Sequence, residues 1–217
     1  MTPQEALRRH WFPVAASSDA PSGHIAHALL LGQEIALWRD ETGRLRAWDN
    51  RCPHRGVRLT IGDNLGATLR CRYHGYRFAA DTGHCVDMPA HPGQAAPRAM
   101  RVAAFPCHEA SGLAWVRLAA EGEAFQPLPP SAAMPGRAVP RDLPLATIAT
   151  RLATAGAVPA PPPGPQAPHS PTMLRLGEIL LLLQPAAAEE TWIHSLFPDT
   201  PDEAALRRHE DWLAEAT

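Results

Sequence analysis

Two short stretches of the sequence place a cysteine close to a histidine. The first is Cys52-Pro53-His54 and the second is Cys71-Arg72-Tyr73-His74, with sixteen residues between His54 and Cys71. Each stretch supplies one soft thiolate and one imidazole from a tight loop at the end of a predicted strand pair. Two such loops brought tip to tip offer two sulfurs and two nitrogens. This divided set fits a [2Fe-2S] cluster in which both cysteines bind one iron and both histidines bind the other.

Charge counting shows why histidine ligands would matter for such a cluster. Two ferric ions, two sulfides and two thiolates sum to zero when the histidines are neutral, whereas an all-cysteine cluster carries two negative charges. An electron therefore enters the mixed cluster more easily, and such centres have reduction potentials of about −150 to +300 mV, against about −400 mV for plant-type ferredoxins. The alternative is a structural zinc site, which also uses two cysteines and two histidines but usually with closely spaced histidines.

The composition limits the classes of function. The chain has 217 residues and a formal net charge of −2, so neither nucleic acid nor an anionic membrane is an expected partner. The longest apolar run, residues 179–183, is far shorter than the ~20 residues of a transmembrane helix. Because the N-terminus also lacks a signal-peptide pattern, the sequence predicts a cytoplasmic protein. The two remaining cysteines, Cys85 and Cys107, are expected to be buried free thiols.

The prolines divide the chain into three parts. Thirteen of the 24 prolines lie within residues 127–171, including the run Pro161-Pro162-Pro163. Proline cannot continue a helix or occupy a central strand, so this segment is predicted to be an extended, exposed connector. Within it, only residues 143–158 have the composition of a helix. The connector separates a first part, residues 1–126, from a last part, residues 172–217.

The first part is predicted to be mostly β. A capping box formed by Thr2 and Glu5, with Pro3 between them, indicates a short opening helix. After it, predicted strands alternate with turn signals, as in the hairpin over residues 35–48 with its Gly-containing loop. Short antiparallel strands at this spacing indicate a small barrel or sandwich. Further strands are predicted over residues 76–78, 84–86 and 113–118.

The last part is predicted to contain two strands and a helix. The strands cover residues 173–183 and 191–197. The helix covers residues 203–216 and carries Leu206, His209 and Leu213 on one stripe, after a second capping box that begins at Thr200.

The two Cys/His stretches, taken with their neighbours, resemble a known family. Cys52-Pro53-His54-Arg55-Gly56 and Cys71-Arg72-Tyr73-His74-Gly75-Tyr76 look like the Rieske motif of the ring-hydroxylating (Rieske non-haem iron) oxygenases, and the vanillate O-demethylase and dicamba demethylase branch is the most similar. The likeness covers residues 8–120, and its one departure is Tyr76, where the family usually has tryptophan. Four further stretches carry it: Trp11-Phe12-Pro13-Val14-Ala15, Leu59-Thr60-Ile61-Gly62, Met88-Pro89-Ala90 and Gly112-Leu113-Ala114-Trp115-Val116.

The resemblance implies both a fold and a cofactor. It implies a Rieske-type antiparallel β domain over residues 1–126, in a chain that is mostly β (α+β overall). It also implies that Cys52 and Cys71 hold one iron of a Rieske [2Fe-2S] cluster, and that His54 and His74 hold the other. Residues 172–217 resemble a small α/β remnant of the oxygenase catalytic domain, which we expect to serve in docking or oligomerisation.

The second metal site of the family is missing from the sequence pattern. A complete oxygenase binds one Fe(II) through two histidines and one carboxylate, in a pattern that resembles D/N-x-x-H-x4-H, and no histidine here has another five residues later. The chain is also shorter than a full oxygenase subunit. The leading hypothesis is therefore an electron-transfer protein or subunit. It would take single electrons from a reductase or ferredoxin and pass them to the mononuclear Fe(II) of a partner oxygenase subunit, in a homo- or hetero-oligomer.

Two alternatives stay open from the sequence. An unconventional iron site in the last part would make the chain a minimal hydroxylase or demethylase, and its candidate ligands are His194, His209, Asp199, Asp202 and Glu210. A non-redox pseudo-oxygenase subunit would keep the cluster for structure alone.

Overall fold

The fold is described by a computed structural model that covers residues 2–126, 128, 134–160 and 172–217. Within these ranges the chain is mostly β, as the sequence predicts, and its strands pair antiparallel in four sheets. None of the helices in the described ranges has the length and apolar character that a membrane crossing requires.

The N-terminal part begins with the predicted short helix, α1 (Pro3–Leu7). Its capping box is confirmed, because the N–H of Glu5 donates to the Thr2 hydroxyl and the N–H of Thr2 donates to the Glu5 carboxylate. Eleven short strands follow in this part: β1 (Phe12–Ala16), β2 (Ile25–Leu30), β3 (Gln33–Arg39), β4 (Leu45–Asp49), β5 (Asp63–Asn64), β6 (Thr68–Arg70), β7 (Arg77–Ala79), β8 (Cys85–Asp87), β9 (Ala104–Phe105), β10 (Cys107–Ala110) and β11 (Leu113–Val116).

Three sheets stack in the N-terminal part. The central one has the order β2-β3-β4-β9 and contains the predicted hairpin, in which Arg39 pairs with Leu45. A second sheet has the order β5-β6-β7-β8, and a third has the order β1-β11-β10. Successive side chains of β3 point to opposite faces. Trp38 accordingly packs in the core shared with β6 and β7, whereas Leu37 packs in the core shared with β1 and β11.

A fourth sheet forms the C-terminal part. Its strands are β12 (Met134–Pro135), β13 (Val139–Arg141), β14 (Val158–Pro159), β15 (Met173–Leu176), β16 (Ile179–Ala187) and β17 (Glu190–Phe197), and its helices are α2 (Leu145–Thr154) and α3 (Glu203–Ala216). The predicted strand over residues 191–197 and the predicted C-terminal helix are confirmed. The single strand predicted over residues 173–183 is instead a hairpin of β15 and β16, which turns at Gly177. The N-cap of α3 is Asp202, which accepts from the N–H of Ala205, and not the predicted Thr200.

The described residues of the proline-rich segment do not form an exposed connector, and that prediction is wrong for them. Pro135, Pro140 and Pro159 lie in β12, β13 and β14. All three strands are at sheet edges, since β12 and β13 pair with β17 and β14 pairs with β15. Proline lacks an N–H and is disfavoured in central strands, but an edge strand tolerates it. The central strand β16 also contains a proline, Pro185, beside an irregularity in its register with β17.

Other parts of the segment have different outcomes. The predicted helix within residues 143–158 is confirmed as α2. The Pro161-Pro162-Pro163 run and His169 lie outside the described residues. We keep the domain boundary at residue 126 as a proposal. Residue 172 does not separate two units, because β12, β13 and β14 belong to the same sheet as β15, β16 and β17.

One face of the C-terminal sheet packs against the N-terminal part. The Gln184 amide donates to the backbone carbonyl of Leu29 (2.6 Å), and its oxygen lies 2.6 Å from Nε2 of His194. Next to this contact, the N–H groups of Leu31 and Gly32 donate to backbone carbonyls of β16, each at 2.7 Å. The opposite face of the sheet is covered by α2 and α3. Because β16 is buried on both faces, its sequence shows a continuous apolar run instead of alternation.

His194 should make the stability of this packing depend on pH. Its side chain is almost fully buried, and burial lowers the pKa of His194 from 6.5 to about 4. The neutral ring is therefore retained in the folded state while the unfolded chain takes up a proton. Above pH 6.5 the buried, neutral His194 therefore places no proton-linked cost on folding. As the pH falls from there through about 4, we expect the free energy of unfolding to decrease by on the order of 3 kcal/mol.

Urea unfolding at several pH values would measure this loss. His194→Gln keeps an N–H donor toward Gln184 but cannot be protonated, so its unfolding free energy should fall less between about pH 6.5 and 4 than that of the wild type. The carboxylates are common to both proteins, and equal pH slopes would contradict the assignment to His194.

Candidate metal centre

The two Cys/His stretches form loops with the same backbone pattern. In the first loop the N–H of Cys52 donates to the carbonyl of Val57 (2.8 Å), and the N–H of Gly56 donates to the carbonyl of Cys52 (2.8 Å). In the second loop the N–H of Cys71 donates to the carbonyl of Tyr76 (2.8 Å), and the N–H of Gly75 donates to the carbonyl of Cys71 (3.0 Å). In each loop the cysteine N–H is therefore hydrogen-bonded to the carbonyl five residues later, and the two loops have the same backbone conformation at these positions.

Glycine is required at the fourth position after each cysteine. Gly56 and Gly75 have φ angles of +72° and +75°, in the left-handed region that a residue with a Cβ adopts only at a cost. A Cβ on Gly75 would also lie 3.1 Å from Cγ of Pro89, which packs against the second loop. The histidines are not at equivalent positions, because His54 is the second residue after its cysteine and His74 is the third.

The thiols of Cys52 and Cys71 are on the buried side of the loops. The two residues are 3% and 2% exposed and belong to a core that includes Trp48 and Phe78. Burial raises the pKa of Cys52 to about 11, with the neighbouring Cys71 thiol as a further cause, while the backbone N–H of His54 acts to lower it. Since metal ligation requires the thiolate, metal binding at these sulfurs must displace the thiol proton.

The two imidazoles meet at the tip of the loops. Nδ1 of His54 and Nδ1 of His74 lie 3.1 Å apart. The Tyr76 ring stacks on His54 with a centroid distance of 4.7 Å and an interplanar angle of 22°, and the Tyr73 ring lies 3.9 Å from the His74 ring. Desolvation, followed by the nearby charges of His74 and Arg55, lowers the pKa of His54. The neutral ring, which is the form that ligates metals, is thereby favoured.

This donor set fits a [2Fe-2S] cluster better than a single zinc ion. Two ring nitrogens 3.1 Å apart can both lie at a metal–nitrogen bond length of about 2.0–2.1 Å from one ion. Across the described residues, no three histidine, cysteine, aspartate or glutamate side chains are grouped as ligands of one ion. A zinc site needs its four ligands around a single ion, whereas two separate pairs match the two irons of a mixed-ligand cluster.

Cys85 and Cys107 are free thiols that contact backbone carbonyls. The thiol of Cys85 donates to Asp87 (3.4 Å) and that of Cys107 donates to Leu45 (3.2 Å). Cys85 is buried as expected, but Cys107 is only half-buried. Burial raises the pKa of both thiols, which makes them poor nucleophiles and ligands.

The candidate ligands of an unconventional iron site are not brought together. His194 and Ser195 are successive residues of β17 and point to opposite faces of the sheet. Nε2 of His209 bonds to the Ser195 hydroxyl (2.7 Å), whereas Nε2 of His194 bonds to Gln184 on the other face. The two histidines are therefore separated by the sheet, and Asp202 is used as the N-cap of α3.

Comparison with known proteins identifies the N-terminal part. The profile of the Rieske [2Fe-2S] domain family matches residues 10–106. The chain is 52% identical over 108 residues to the oxidoreductase NdmD of Pseudomonas putida, covering 50% of this chain and 18% of that protein. It is 40% identical over 112 residues to the 3-chlorobenzoate-3,4-dioxygenase oxygenase subunit of Comamonas testosteroni, covering 51% of this chain and 26% of that protein. The matched region is thus about a quarter or less of each relative.

Solved structures resemble the chain over more of its length. Dicamba monooxygenase has a TM-score of 0.72 at 19% identity, covering 91% of this chain and 79% of that chain. NdmA of Pseudomonas putida CBB5 has a TM-score of 0.70 at 19% identity, covering 98% of this chain and 80% of that chain. At this identity the likeness concerns the fold, and its coverage extends into the C-terminal sheet. Residues 10–106 therefore match the Rieske [2Fe-2S] domain family, and the fold of the chain resembles that of dicamba monooxygenase and NdmA.

Proposed function

We propose that the chain is an electron-transfer protein or subunit of a Rieske-type oxygenase system. Cys52 and Cys71 hold one iron of the [2Fe-2S] cluster, and His54 and His74 hold the other. The chain accepts single electrons from a reductase or ferredoxin and delivers them to the mononuclear Fe(II) of a partner oxygenase. The observation that carries this proposal is the pairing at the loops, with two buried thiols on one side and two Nδ1 atoms 3.1 Å apart on the other.

The residues of the loops have distinct roles in this proposal. The bound cluster supplies reversible one-electron chemistry. The buried cysteines exclude water from their side of the site, and the Tyr76 ring orients His54 by stacking on it. His74 is exposed, and in the described part of the chain neither Nε2 atom of the two ligand histidines has a hydrogen-bond partner. These histidine edges are therefore the route by which an electron crosses the protein surface.

The electron acceptor is proposed to lie outside the described part of the chain. The fold likeness to the solved oxygenases extends into the C-terminal part, but His194 of β17 and His209 of α3 lie on opposite faces of its sheet. Each is hydrogen-bonded to a neighbouring side chain. This arrangement supports a partner subunit with its own Fe(II), and it supports a docking or oligomerisation role for residues 172–217. We place the protein in the cytoplasm, since free thiols are stable in a reducing compartment.

Metal content and spectroscopy test the proposed function. The protein with its cluster should contain two irons and two acid-labile sulfides per chain, and on reduction by dithionite it should give an EPR signal with the low average g value of mixed Cys/His ligation. Three irons per chain would instead favour the minimal oxygenase. A cluster that no reductant reduces would favour a non-redox subunit.

Cysteine variants make the ligand assignment specific. Cys52→Ser should lose the cluster because a thiolate ligand is removed, whereas Cys85→Ser should retain it, although Cys85 is buried in the same apolar core. Circular dichroism of both variants checks that the fold is kept. Loss of the cluster in Cys85→Ser alone would contradict the proposed ligand set.

Replacing one imidazole by a thiolate tests the role of His74. His74→Cys adds one negative charge to the ligand set, which disfavours uptake of an electron, so the reduction potential should fall by roughly 100–300 mV. His91→Cys, at an exposed position outside both loops, is the matched control and should leave the potential unchanged. A redox titration followed by visible absorption measures both, and an unshifted potential in His74→Cys would show that His74 is not a ligand.

A further inference from the structure

Positive charge is concentrated around the two loops. Residues 51–77 contain one acidic residue, Asp63, in a chain whose formal net charge is −2. The same stretch contains six of the twenty basic residues of the chain: Arg51, Arg55, Arg58, Arg70, Arg72 and Arg77.

Three of these arginines are neutralised by ion pairs with nearby carboxylates. The pairs are Arg58 with Glu34 at 2.5 Å, Arg70 with Asp63 at 3.0 Å and Arg77 with Asp87 at 2.9 Å.

The other three arginines keep their charge available to a partner. Arg51, Arg55 and Arg72 are exposed and make no ion pair with any residue within the described ranges. The charge of Arg51 is partly offset by the nearby carboxylates of Glu34 and Asp49. Arg55 directly follows His54 and Arg72 directly follows Cys71, so the free charges are on the same loops as the proposed ligands. We call Arg51, Arg55 and Arg72 the arginine rim.

An aromatic side chain lies at the same tip. The Tyr73 side chain is 59% exposed and its ring contacts the ring of His74. Arginine and tyrosine are enriched at the energetically dominant positions of protein interfaces. A charged rim beside an exposed ring is therefore typical of a protein-binding surface.

We propose that the arginine rim is the docking surface for an electron-donor protein that presents a patch of carboxylates. This inference rests on the proposed function, and it adds the chemistry of the partner. Opposite charges on the two surfaces would speed encounter and orient the donor toward the histidine edges.

The sign of the charge favours a donor over an acceptor. One electron gained at the loops makes the local charge more negative by one unit. An acidic donor is therefore attracted most strongly before it delivers its electron and less strongly afterwards, which promotes its release. An acidic acceptor would meet the opposite order, with the weakest attraction to the reduced form that it needs.

Stopped-flow kinetics with a reduced plant-type ferredoxin provide the test. This donor carries an acidic surface, and its potential of about −400 mV makes transfer into a Rieske centre favourable. With the full chain carrying its cluster, the second-order rate constant should fall about tenfold or more between low and high ionic strength. At low ionic strength the double variant Arg55→Gln/Arg72→Gln should react more slowly than the wild type, and Arg55→Glu/Arg72→Glu should react more slowly still. The rate constants of all three proteins should converge in high salt.

Matched controls separate docking from damage to the cluster. Arg208→Glu, at an exposed position of α3 without an ion pair in the described part of the chain, should leave the rate unchanged. The EPR signal of each rim variant should equal that of the wild type, and the measured reduction potential of each variant separates a smaller driving force from a loss of docking. A rate that is independent of salt and of the rim arginines would overturn the docking inference while the proposed function stands. A cluster that accepts no electron from any donor would overturn the proposed function itself.

Discussion

Each cysteine of the candidate metal centre is fixed by a hydrogen bond from its own N–H to the carbonyl five residues later. This bond closes the loop, directs the cysteine side chain into the apolar core and leaves the intervening histidine at the tip. It also forces the fourth residue into a left-handed conformation, which is why glycine stands at Gly56 and Gly75. The separation of buried sulfurs from exposed nitrogens is therefore a property of the backbone.

Much of the N-terminal part is predictable because its signals are local. The Cys/His spacing, the hairpins and the capping box at Thr2 each depend on residues a few positions apart, and the structure contains the same elements. The roles of Tyr73 and Pro89 are not predictable in the same way, although both lie within the motifs of the family. Their contacts with His74 and Gly75 depend on how the second loop folds onto its neighbours.

The C-terminal part is less predictable because its signals depend on tertiary position. Proline disfavours a strand at the centre of a sheet more than one at its edge, and no local pattern distinguishes an edge strand from a linker. For His194 and His209, the sequence predicts part of the arrangement. Alternation along β17 places His194 on the face opposite to Ser195, but only the packing of α3 shows that His209 lies on the Ser195 face. Two histidines that are close in the sequence can therefore lie on opposite faces of a sheet, and their spacing alone does not predict a shared metal site.

The third sheet of the N-terminal part extends beyond the region that matches the Rieske [2Fe-2S] domain family. The region matched by the Rieske family ends at residue 106. Among the described strands, however, β1 near its beginning pairs with β11 alone, and β11 starts at Leu113. The other face of β11 presents Leu113 and Trp115 to a core built with Leu180 and Leu196 of the last sheet. A fragment cut at residue 106 would lose the partner of its first strand, so the region that matches the family is smaller than the unit that must fold.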